Sequence, residues 1–357
     1  MNLLDSIIYI IIPLLFIFFI GVVLLIIYSR IIYSKRLKTR QNVKDEIETF
    51  LAIDVFNSTN EGELKNGLHH FLSTIPFDKN WCKDIFLKKL IDFGENVKGE
   101  VANKLLDIYV FTNLHKYSLG FIQSSSWYKK SIGFYHFQAM GFSHGQRYVK
   151  PYLEHKNNKL RSNAYITFLY LNTEPLDFLI DYKYPILEAS EHKVVNILYE
   201  KKPPMPNNID DWLGAGNPSI VKLGIKIMVF YNYTGASEKI IKLLNSVFDT
   251  IRFEAYIAVK ELYLFEAEVS LTDRLKSEKE KNNVLALLEA LAVVGTDFSL
   301  VFLHDFIKKD AIDGDLKLAA VRCLHEINTD YLNHSFRRNE EIQRIKNHIK
   351  SPYILSV

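Results

Sequence analysis

Between Ser6 and Ser29 the chain runs for 24 residues without a charge. Lipid offers no water to backbone N–H and C=O groups, so a lone segment of this kind has one solution there, a continuous helix. About 20 apolar residues at 1.5 Å each cross a hydrocarbon core of about 30 Å. Pro13 and Gly21 are tolerated in such a helix, and Tyr9, Tyr28 and Tyr33 suit its two interfaces. A cleaved signal peptide would need a basic leader, a shorter apolar core and a small-residue cleavage site, and none is written here. The expectation is a single transmembrane helix over residues 6–29, with residues 1–5 as a short extracytoplasmic N-terminus.

Charge gives that helix a direction. Arg30, Lys35, Arg36, Lys38, Arg40 and Lys44 follow the apolar stretch before any acid, and Asp5 alone precedes it. The positive-inside bias then leaves the C-terminal domain in the cytoplasm. The same cluster would also attract anionic headgroups, at about 1 kcal/mol per residue near the surface. The first 44 residues carry +5 against +3 for the whole chain, so residues 45–357 carry −2. A nearly neutral soluble part has no electrostatic footprint for nucleic acid. Heavy use of Ile, Lys, Asn, Tyr and Phe reads as an AT-rich bacterial coding bias, which makes the membrane the inner one.

Beyond a basic juxtamembrane linker or helical continuation at residues 30–48, helical periodicity dominates. Apolar stripes recur as Val221, Gly224, Ile225, Met228, Val229; as Ala255, Ala258, Val259, Leu262, Tyr263; as Val284, Leu287, Leu288, Leu291, Ala292; and as Leu316, Ala319, Ala320, Cys323, Leu324. A polar or basic residue with a partner three positions on repeats at Lys130, Arg161, Lys193, Lys222, Arg252, Asn283 and Lys317. The intervals are 31, 32, 29, 30, 31 and 34 residues. A period of this size with two helices per unit marks an α-solenoid, whose units bury their apolar faces only against neighbours.

Within each unit an Asn or acidic turn, a basic residue and an Ala-rich face follow one another. Asn157–Leu171, Asp249–Leu262 and Asp313–Leu324 carry the pattern best. It resembles HEAT repeats, of the armadillo-like superhelix class, over roughly residues 80–335. The resemblance implies an all-α fold, an α-α superhelix over residues 49–357 preceded by one transmembrane helix. Residues 339–350, charged on most of their circumference, would cap it.

Candidate chemistry is sparse. Gly141-Phe142-Ser143-His144-Gly145 matches GxSxG, but the residues before it read as helix, whereas a nucleophile elbow needs a strand. A membrane-tethered hydrolase using Ser143 is the alternative; the main reading is non-catalytic. His69 and His70 are adjacent and diverge by about 100° on a helix, unlike an i, i+4 metal pair. Cys82 and Cys323 are too far apart for a CxxC site and read as buried hydrophobes. No cofactor or metal is expected. The loop from Lys201 to Asn217, with three prolines, places Trp212 beside Asp210 and Asp211. It is read as a partner-recognition tip or as a ring folded back on the repeats. The function this supports is a membrane-anchored scaffold or regulatory subunit gripping a protein partner at the inner membrane, such as an envelope glycosyltransferase or a signalling protein.

Overall fold

The computed structural model describes residues 12–58, 60–309 and 312–349, so the expected extracytoplasmic N-terminus and the first residues of the span lie outside it. The described residues form helices and no strand. Chain contacts divide them into two compact units, residues 1–172 and 173–357.

Helix α1 (Ile12–Thr49) opens the first unit. Its apolar stretch is long and apolar enough to cross a membrane and none of it is buried in the fold. Residues 30–48 continue the same helix, and from Val43 onward it turns a face into the core. Val43, Ile47 and Phe50 follow α-helical spacing, which would next bring Asp54 inward. A π turn at Phe50–Asp54 adds one residue, so Leu51 and Val55 are buried and Asp54 stays exposed. The seam is fastened by the stacked rings of Phe50 and Phe71, 4.3 Å apart. Lys89 on α3 (Asn80–Gly94) also reaches Glu48 at 2.5 Å. One helix thus serves as apolar span and as core element.

The rest of this unit is α2 (Glu61–Thr74), α4 (Glu100–Phe111), α5 (Leu114–Gln123), α6 (Trp127–Ala139) and α7 (Asn158–Leu171). Asn60 caps α2 by accepting the Glu63 amide, and Asn157 caps α7 by accepting that of Leu160. Helices α5 and α6 meet at Gly133, where an added Cβ would lie 2.5 Å from Ile122 Cγ1 and 2.8 Å from the Ser118 carbonyl. Only hydrogen fits there.

In the second unit longer helices alternate with shorter ones. The longer are α8 (Glu188–Lys201), α9 (Pro218–Phe230), α11 (Asp249–Glu261), α13 (Lys281–Val294) and α15 (Gly314–Ile327). Between them stand α10 (Ser237–Leu243), α12 (Glu268–Leu275) and α14 (Ser299–Ile307), with α16 (Thr329–Ser335) and α17 (Glu340–Ile349) closing the unit. Each longer helix packs on the next, and α10, α12 and α14 pack on the longer helix that follows them. The small residues of the period sit at these contacts: Ala164, Ala255 and Ala320 are fully buried. The basic residue has a local task as well. Arg161 donates to the His155 carbonyl at 2.8 Å and Arg252 to that of Ser246 at 2.9 Å, six residues upstream in both cases. Lys130 similarly reaches the Ile122 carbonyl at 2.8 Å. Each closes the turn that precedes its helix. The Lys193 unit differs in register: Asn196 is exposed, and Val194, Ile197 and Leu198 form the buried stripe.

Candidate functional site

The longer helices of the second unit leave a row of side chains outside the core, and cross-helix ion pairs organise it. Lys222 of α9 holds Glu191 of α8 at 2.6 Å, and Lys226 of α9 bonds Glu254 of α11. Lys260 of α11 holds Glu289 of α13 at 3.1 Å. Lys281 of α13 meets Asp313 at 2.9 Å and Asp315 of α15 at 2.5 Å, and Lys317 of α15 meets Glu341 of α17 at 2.9 Å. Each rung joins one longer helix to its neighbour and neutralises a charge the row would otherwise present.

Two grooves open between the rungs. One, of about 390 Å³, lies between α13 and α15, with Leu285, Leu288, Ala292, Leu318, Ala319 and Cys323 as an apolar floor. Lys260, Glu289, Asp315, Arg322 and Glu326 form its rim. Ala292 and Ala319 belong to stripes that periodicity assigns to the core, yet both are half-buried and face this space. Their small side chains let another chain approach the helix backbones closely. The other, of about 570 Å³, is more polar: Val195, Phe253 and Ile257 lie among the Lys222–Glu191 and Lys226–Glu254 pairs, with Asp249 and Glu280 at its edge. Apolar floors ringed by mutually neutralised charges suit peptide side chains better than a polyanion.

A buried node stiffens the helices beneath. The Glu278 side chain is 1% exposed and accepts from Arg252, Tyr256, Arg274 and the Lys279 amide. Burial alone would raise its pKa, but the donors, Arg252 foremost, outweigh it and hold the carboxyl well below the usual range.

The Lys201–Asn217 loop turns its ring inward. Trp212 is fully buried and its Nε1 donates to Asn208 Oδ1 at 2.9 Å, so the ring is occupied by the fold. Gly224 makes the room, since a Cβ there would stand 3.0 Å from Trp212 Cβ. Asp210 is half-buried, and Asp211 is the exposed member of the trio. Arg30, Lys35, Arg36, Lys38 and Arg40 are all exposed along α1, with Arg40 over the Trp81 ring at 5.5 Å.

Ser143 begins a single 3-10 turn, Ser143–Gly145, and is exposed. Helix α6 leads into it through Ala139, Met140 and Gly141, the last at φ +60°, which glycine adopts without strain. Gly145 tucks under the Phe137 ring. This GFSHG segment is a helix-to-helix turn whose glycines have packing roles. Cys82 and Cys323 are buried and free; burial pushes the Cys82 thiol up to about 11 and raises that of Cys323 further. Among the described residues no group of three His, Cys, Asp or Glu side chains is placed to hold a metal ion.

The ion-pair ladder escapes a reading of single motifs because its partners stand 24 to 34 residues apart. Its signal is the repeat register itself, which brings a Lys of one unit opposite an acid of the next.

No family model matches the chain, and no curated protein matches it in sequence. Among solved structures, an engineered protein from the Northeast Structural Genomics Consortium aligns at 13% identity with a TM-score of 0.32. That alignment covers 61% of this chain and 97% of the other. A second from the same consortium aligns at 12% identity over 85% of this chain and 89% of its own, with a TM-score of 0.33.

Proposed function

We propose that this protein is a membrane-anchored, non-catalytic scaffold or regulatory subunit built on HEAT-like repeats. The apolar part of α1 crosses the inner membrane once, the basic residues after it keep the remainder in the cytoplasm, and the repeat face of the second unit holds a protein partner. The observation that carries this reading is the open apolar floor between α13 and α15, bordered by charges that pair with one another. Confinement by α1 would raise the effective concentration of such a contact without adding to its area. A partner that is itself a membrane enzyme or a membrane-recruited signalling protein fits that arrangement.

The test is an Ala319→Arg variant of the full chain, which places a long charged side chain in the groove. Purified from solubilised membranes alongside the parent, it should lose the co-purifying partner while keeping its circular dichroism and melting temperature. Equal retention of the same proteins by both would count against the groove as the binding site.

A further inference from the structure

Helix α1 leaves its uncharged stretch at Ser29 and makes its first buried contact with the soluble fold at Val43. Thirteen residues between them are helical and carry Arg30, Lys35, Arg36, Lys38 and Arg40. All five are exposed, and among the described residues none forms an ion pair; the first rung on this helix is Lys44 with Glu48. At 3.6 residues per turn the five project at about 0°, 140°, 240°, 80° and 280° around the axis, leaving no gap wider than about 100°. Exposed Ile31, Tyr33 and Leu37 stand between them.

A protein partner or a second copy of the helix would cover one side and would favour an apolar seam there, with charge on the other. Here charge and apolar side chains alternate on every side. A surrounding that is anionic and partly apolar all the way round is the headgroup layer of a membrane, where Lys and Arg lay their stems along apolar surface and extend their heads to phosphate. The rise from Arg30 places Lys35 and Arg36 about 7.5 and 9 Å above it and Lys38 about 12 Å, within the headgroup layer or one Debye length of it. We infer that residues 30–38 of α1 form a collar that binds anionic phospholipid headgroups. The collar rests on the reading of α1 as a membrane anchor. It fixes how deep the helix sits, and since α1 runs unbroken into the first unit, it also fixes how far that unit stands from the bilayer.

The experiment uses the full chain and a variant in which Arg30, Lys35, Arg36 and Lys38 are each changed to Gln. Arg40 is kept because it packs over Trp81. Both are reconstituted in phosphatidylcholine vesicles and washed with alkaline carbonate, then transferred to detergent containing equal phosphatidylglycerol and phosphatidylcholine for native mass spectrometry. Both proteins should stay with the vesicles, since the apolar helix is unchanged. The parent should retain phosphatidylglycerol over phosphatidylcholine on the order of fivefold per bound lipid, and the variant should show no preference. A parent that washes off the vesicles would overturn the anchor and the collar together. A parent that stays but shows no preference, or a variant that keeps it, would overturn the collar alone.

Discussion

Arg252 and Glu278 face each other as two forks: Nε donates to Oε2 at 2.7 Å and Nη2 to Oε1 at 2.9 Å. Paired at both ends, the guanidinium is locked in plane, and Arg274 and Tyr256 complete the carboxylate's shell. The contact joins α11 to the loop before α13, so it sets the spacing of two helices whose outer faces line the grooves.

A Glu278→Gln substitution should therefore destabilise the chain by about 3–5 kcal/mol at neutral pH, because two guanidinium groups lose a buried counter-charge. The carboxyl's pKa is lowered by folding, so its contribution is complete above the ordinary glutamate range and declines as pH falls below it. Urea unfolding at pH 7 and pH 4 should show the gap between parent and variant narrowing at the lower pH.

His136 supplies a second pH signature at a higher range. Burial pushes its pKa down to about 4, with Asp84 opposing more weakly, and its Nδ1 lies 3.2 Å from Ser118 Oγ. The folded ring stays neutral while the unfolded one takes up a proton, so stability present above pH 6.5 is lost as pH falls from there to 4. The loss is on the order of 3 kcal/mol. A His136→Gln variant should lack that slope in thermal melts across the interval.

Two glycines in helices should respond in opposite directions to the same change. Gly133→Ala pushes a methyl into Ile122 and the Ser118 backbone, and the clash, about 1–3 kcal/mol, exceeds the gain in helix propensity. Gly67→Ala, with nothing within 4 Å of the new atom, should stabilise by about 0.5–1 kcal/mol. Denaturation midpoints of the two variants should bracket the parent's.

Trp212→Ala should cost about 3–5 kcal/mol, the loss of a large buried ring together with the bond to Asn208. An exposed recognition residue would instead leave the denaturation midpoint within about 0.5 kcal/mol of the parent's.

The helices were legible because each needs only local signals: a stripe at helical spacing, an Asn or Asp cap at Asn157 and Asp313, and a proline at Pro218 to start α9. The period of about 31 residues located the longer helices for the same reason. What escaped depends on distant partners. The π turn at Phe50–Asp54 answers the packing of Leu51 and Val55 against the rest of the first unit, and no residue within it announces an extra turn. The direction of Trp212 depends on Gly224, a glycine within an apolar stripe whose missing side chain was the available clue. The candidate groove was half legible: Ala292 and Ala319 stood in the stripes, but small apolar residues read alike whether a neighbour covers them or a partner does.

The central claim, that the face between α13 and α15 receives a protein partner, is tested most directly by site-specific photocrosslinking in native membranes. A crosslinking amino acid is placed at Ala319, on the groove floor, and in a second chain at Glu266, which is exposed and lines neither groove. The account predicts a discrete protein adduct from position 319 that is absent from position 266. No adduct from position 319, or the same adducts from both positions, would contradict it.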